Sequence, residues 1–378
     1  MRAQIMTHLA RLGDLEDEAT SLFREGRDLA TRSGDPHVLS QVLNGFGLLR
    51  SYSGAIEEAL DPLLESIQRA DETEDIGLRV AVRYAPSFAY FQAGRLRECL
   101  ATAEDGLQLA QGDVNLGADR IGVSPSLILS SMRGIALSLG GHPRNGAAEL
   151  DRVIERARAS RSLLPLCVSH SFHVLRCEVT GEATPALAHG RDAVDQAERM
   201  GSQTARAFGY QNLGLAHVLN RAWRDALEAL EQGLEITRTR RLLMLEGGAL
   251  AAMAAAHLGL GNHAKALALA EEAIAVSRRR GTRLWEFPAL LTRMRALREI
   301  RGAQATQEIE AALAEADAWI EASGAQSYEP FLHGERAELA RLVGDEAARQ
   351  RELRDAYRLF TEMGAPIRAD QVAQQFST

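Results

Sequence analysis

The chain has 378 residues, 46% hydrophobic and only 5% aromatic, with a formal net charge of −8. A surface built to neutralise many phosphates would be basic, so this balance argues against bulk nucleic-acid binding. Three cysteines, Cys99, Cys167 and Cys177, are too few for a disulfide framework and suit a reducing compartment, no apolar run reaches the roughly 18–20 residues that span a bilayer, and Met1–His8 is too polar for a secretory leader; the expectation is a cytoplasmic protein with no membrane partner.

Ala, Leu, Glu and Arg, strong helix formers, dominate, and alternating strand patterns are nearly absent. Taken in chain order, short turns fall at Gly13, Gly54, Gly94, Gly141, Gly181, Asn220, Gly261, Gly302 and Gly344, spaced by 41, 40, 47, 40, 39, 41, 41 and 42 residues. The pattern predicts about nine helix–turn–helix units with a period near 41, filling 1–378 as a single domain. After each turn the second helix carries small or apolar residues on one stripe: Ala19/Phe23/Gly26, Ala59/Leu63/Ser66, Cys99/Ala103/Gly106, Ala226/Leu230/Gly233 and Ala266/Ala270/Ala273. Twelve residues before each leading position, the first helix offers Thr7, Gly47, Ser87, Gly134, Val174, Gly214 or Ala254. A mid-helix glycine costs about 1 kcal/mol against alanine, so its recurrence asks for close helix–helix contact. The long interval carries an extra loop, Gln111–Asp119. Second helices end in Gly34, Gly201, Gly281, Gly324 and Gly364, which suit left-handed caps. Pro62 and Pro86 lie away from these ends and predict a kink or a late helix start.

This pattern resembles tetratricopeptide repeats (TPR) with a lengthened period. The longer unit is similar to the C-terminal sensor arms of bacterial signalling ATPases, including LuxR-type regulators and class III nucleotide cyclases fused to an ATPase. Tyr328-Glu329-Pro330-Phe331-Leu332-His333 with Glu335–Leu339, then Gly344–Ala348 and Leu359–Pro366, carry the resemblance. Phe331 departs from it, since that family usually has Glu there. The resemblance implies an all-α, right-handed superhelical solenoid that holds a protein or peptide in its concave groove. Ile5, Met6, Leu9 and Leu12 leave the first helix without a polar cap, so upstream ATPase or cyclase domains are expected as the chain's own partner. A stand-alone adaptor or peptide receptor uses the same groove without a relay.

No phosphate-binding loop, dinucleotide fingerprint, serine elbow or zinc-protease helix occurs in the sequence, so no catalytic residue and no cofactor is expected. Cys167, His170, His173 and Cys177 share one helical arc, which would support a metal or small-molecule sensor. Spread over nearly three turns of one helix, they cannot converge on a single ion, so no metal is expected. Arg238–Arg241, with Arg278–Arg280 and Arg283, fall at helix C-termini, where positive charge complements the dipole. Trp223, Trp285 and Trp319 are expected to anchor repeat interfaces. With the small packing residue turned inward, positions three before and one after it face the concavity. That register selects Gln4 and His8, Asn44 and Leu48, Tyr84 and Phe88, Ser131 and Ile135, Ser171 and Leu175, and Gln211 and Leu215. The amides and hydroxyls among them, with Tyr84 and Phe88, are the candidate contacts for a peptide; packing between repeats is the competing role.

Overall fold

Small residues at the helix crossings let the two helices of each unit touch. A Cβ added to Gly47 would stand 2.4 Å from Leu63 Cγ, one added to Gly214 the same distance from Leu230 Cγ, and one on Gly134 2.9 Å from Leu150 Cγ. Ser87 holds this place in the third unit and donates its hydroxyl to Cys99 O at 3.1 Å. Facing them, Ala59, Cys99, Ala226 and Ala266 are completely buried. The helix-propensity cost of the glycines is offset by dispersion contacts that a Cβ would block.

The computed structural model describes residues 16–377, and these are helical throughout, with no strand among them. Glu16–Ser33 is the second helix of the first unit; the first helix and the Gly13 turn lie outside the described residues. Pairs follow at Pro36–Tyr52 with Ile56–Asp71, Ile76–Ala81 and Tyr84–Gln92 with Leu96–Ala110, and Pro125–Leu139 with Pro143–Ala159. The middle of the chain contributes Leu163–Thr180 with Ala183–Met200 and Gln203–Leu219 with Trp223–Thr239. Glu246–Gly259 with His263–Arg280, Glu286–Arg301 with Thr306–Ser323, and Glu329–Val343 with Glu346–Met363 complete the stack, and Pro366–Ala373 closes it.

The turn glycines from Gly54 to Gly344 all take positive φ, the conformation glycine adopts without a Cβ clash. The sixth turn differs: Asn220 keeps φ −83, and Arg221 is the left-handed residue at φ 57, one position later than the sequence register. The first helix of the third unit is broken between Ala81 and Tyr84, just ahead of Pro86, whereas Ile56–Asp71 runs through Pro62 unbroken. The extra loop contains one helical turn, Ala118–Ile121, and is tied back by Arg120 to Asp75 at 2.8 Å.

The stack winds until it meets itself. Gly141 N–H donates to Ser327 Oγ at 3.1 Å, and Ser327 Oγ donates to Ser138 O at 2.7 Å. Arg368 Nε reaches Val179 O at 3.4 Å, and a Cβ on Gly54 or Gly94 would press on the backbone of Leu243 or Leu284. The hydrogen-bonded partners lie 186 to 189 residues apart, between four and five units. Turns inside the units of the first superhelical turn therefore rest on turns between the units of the second.

Candidate functional site

The predicted groove positions of the first superhelical turn are mostly inside the core. Asn44, Phe88, Ser131, Ser171 and Gln211 are buried, and Tyr84 is half-buried; Gln4 and His8 lie outside the described residues. Ser131 Oγ donates to Leu127 O or shares a bond with Ser169 Oγ, each at 2.9 Å, so it joins neighbouring first helices instead of facing a ligand. The winding is tight enough that the Phe88 ring centroid lies 6.3 Å from that of Phe208, three units on, while Phe91 and Phe172 sit 5.2 Å apart. These rings fill the concavity. In the first turn the positions this register selects are therefore buried or half-buried among the repeats. Asn44 Oδ1, Ser171 Oγ and both amide atoms of Gln211 have no hydrogen-bond partner among the described residues, and Gln211 Nε2 lies beside Gly248, one of the residues lining an open space.

That space is a cavity of about 550 Å³ on the concave face of the second turn. Its floor is Glu246–Gly259, which presents Gly248, Ala251, Ala252, Ala255 and Gly259. Trp223 covers Gly259 and Trp285 covers Gly248, so closely that a Cβ on either glycine would stand under 3 Å from an indole. Both tryptophans line the cavity as well as packing repeats, whereas Trp319 is purely an anchor, donating Nε1–H to Arg283 O at 2.8 Å. Phe287, Tyr328 and Phe331 build an apolar wall. Phe331, the position where the sequence departs from the sensor-arm pattern, thus has a place in the site.

Charge enters from three sides. Arg295 Nε and Arg298 Nη1 both donate to buried Glu335, at 2.6 and 2.9 Å. Arg368 comes from the last helix and Glu178 from the first superhelical turn, so the cavity spans the seam. Removal from water raises the Glu178 pKa, against the pull of Arg368 and Arg295. Burial likewise lowers Arg368 to about 10, with Glu178 opposing and Arg295 assisting, and burial lifts the Tyr328 phenol well above its ordinary value. Arg221 stands at the exposed rim.

The register that selects Gln211 and Leu215 applies equally to the later units. Carried past Leu215 to the packing residues Ala254, Met294 and Ala337, its rule gives Ala251 and Ala255, Leu291 and Arg295, and Gly334 and Glu338, all of which line the cavity. Elsewhere, His170 and His173 turn to His189 on the next helix: His170 Nδ1 is 2.9 Å from His189 Nδ1, and the His173 ring stacks on His189 at 4.2 Å. Cys167 packs with Ala197 and Ala205 instead, and no His, Cys, Asp or Glu set that could hold a metal occurs among the described residues. The arginine runs are absorbed by carboxylates, Arg238 by Glu246 at 3.0 Å and Arg278 by Glu315 at 2.8 Å.

No protein-family profile matches the chain, and neither does any curated protein. Among solved structures, it is similar to a Rap protein complexed with Competence and Sporulation Factor, with a TM-score of 0.60 and 12% identity, covering 96% of this chain and 97% of that one. The fold is a TPR-like superhelix. A signal transduction ATPase with a tetratricopeptide repeat sensor, from Pyrococcus horikoshii, aligns with a TM-score of 0.48 and 10% identity, over 95% of this chain and 55% of that chain. At 12% identity, the likeness to the Rap protein establishes the TPR-like architecture alone. Among the described residues, no helix of this superhelix is long and apolar enough to cross a membrane.

Proposed function

We propose that this chain is a non-catalytic, cytoplasmic peptide-binding scaffold, and that its receptor site is the second-turn cavity. The observation that carries the reading is the cavity itself: about 550 Å³, floored by small side chains and walled by aromatic rings and arginines from successive first helices. Ligand sites are typically concave and mainly apolar, with a few placed polar groups. The hydroxyl of Thr292 in the lining donates to Pro288 O at 3.0 Å, and Arg295 and Arg298 are held by Glu335, an arrangement suited to holding a ligand. The Rap protein of like fold was solved complexed with Competence and Sporulation Factor, which makes ligand capture by such a superhelix a natural expectation. Residues 1–378 act in this reading as one repeat domain, and Leu215, which the register selects together with Gln211, lines the cavity.

A sensor-arm role for a signalling ATPase or cyclase-type regulator belongs to the same proposal. A ligand touching Glu178 and Arg368 would contact both superhelical turns, so its binding would bear on how they pack. The test is panning of a random displayed peptide library on the purified chain. The expected result is an enriched sequence whose binding is lost in Ala255→Trp, with the helical circular-dichroism signal unchanged. Binding that survives the filled floor would place the receptor site elsewhere.

A further inference from the structure

The cavity holds more positive charge than its carboxylates answer. Its lining has four arginines, Arg221, Arg295, Arg298 and Arg368, against Glu178, Glu335 and Glu338. Glu338 is turned to Arg341 at 3.0 Å, and Glu335 is shared between Arg295 and Arg298. Among the described residues, Arg368 is bonded only to neutral acceptors: Val179 O at 3.4 Å, Glu178 O, and Gln371 Oε1 at 3.1 Å. Its guanidinium lies over Phe331, 5.1 Å from the ring centroid, and Glu178 acts on it only through space.

A half-buried guanidinium with no carboxylate hydrogen-bonded to it is a less favourable element than a paired one, and a ligand anion would complete it. Burial leaves it protonated at neutral pH, so it remains a cation in surroundings where a charge-assisted hydrogen bond is strong. In the same cavity, the floor at Ala251 and Ala255 carries only small side chains and can seat an apolar one. We infer that the cavity selects peptides that bring a carboxylate to Arg368 and Arg295, next to an apolar side chain seated on that floor. This rests on the peptide-binding reading above and names the chemistry it recognises. The carboxylate belongs either to the peptide C-terminus or to an Asp or Glu side chain.

The experiment uses the immobilised full chain and three synthetic pools of random hexapeptides. One pool carries free C-terminal acids, the second is amidated, and the third is amidated and lacks Asp and Glu. The expected result is about tenfold stronger retention of a carboxylate-bearing pool over the third, a typical worth of a charge-assisted contact. The difference between the first two pools identifies which carboxylate is used. Arg368→Gln should bring the ratio of acidic to neutral retention to about one, whereas Arg368→Lys, which keeps the charge but loses the planar fork, should leave it reduced but above one. Because the ratio is read within each variant, partial loss of folded protein lowers both retentions alike and leaves the ratio unchanged, and an unchanged helical circular-dichroism signal excludes complete loss. Gln371→Glu supplies a carboxylate to Arg368 from the protein and should also lower the ratio, with the cation still in place. Equal retention of all pools, abolished by Ala255→Trp, would overturn the inference and leave the receptor site standing; no retention from any pool would overturn both.

Discussion

The two turns of the superhelix use one helix register for opposite ends. In the first turn, the concave positions carry Tyr84, Phe88 and Leu175, with Phe91 and Phe172 beside them, and the rings meet across the axis. In the second, the equivalent positions carry Ala251, Ala255 and Gly334, and the axis opens into the cavity. Backbone architecture is the same, so side-chain volume decides whether a concavity becomes core or pocket. Rings pack the first turn across the axis, and the second encloses a cavity of about 550 Å³.

The comparison can be broken most severely at Phe172. Truncating this fully buried ring to alanine should cost about 3–5 kcal/mol, read as a lower urea midpoint with an unchanged slope. An effect below about 1 kcal/mol would show that the first turn is not a packed core. Acid should also strike the first turn. Burial, assisted by neighbouring cations, holds His170 at about 4 and His173 at about 2, below the ~6.5 of an unfolded chain. Asp151 Oδ1 stands 3.1 Å from His173 Nε2 without forming a hydrogen bond. As pH falls below ~6.5 the unfolded chain takes up protons that the folded one refuses, so stability drops toward pH 4, by about 1.4 kcal/mol per pH unit for each histidine. Denaturation curves at pH 7, 6 and 5 measure the slope, and His173→Asn should flatten it.

The seam between the turns is the next test. Ser327→Ala removes the acceptor of Gly141 N–H and the donor to Ser138 O, an expected loss of about 1–3 kcal/mol, with faster amide exchange at Gly141. Filling the floor with Ala255→Trp sharpens the contrast from the other side, since stability should move by less than about 1 kcal/mol while peptide binding disappears. Smallest of all, Val343→Ser at an exposed unit turn should stay within about 0.5 kcal/mol.

Much of the fold was legible in the sequence because repeat stacking is a near-neighbour property. The spacing of turns, the packing role of Gly47, Gly134 and Gly214, and the concave-facing register all follow from helical period and local volume. In the turn at Asn220 the left-handed residue is Arg221, which gives no local signal because arginine seldom takes positive φ.

What the sequence determined by itself was the all-α repeat, its period and the face each first helix presents, since contacts within one or two units set them. The tertiary structure alone decided how tightly the superhelix winds, and thereby which concave positions are buried and which open. That winding accumulates from small rotations at every unit and is locked by pairs such as Arg368 with Val179, 189 residues apart, which no local pattern announces. The cavity exists because the small residues of the second turn fall where that winding leaves room.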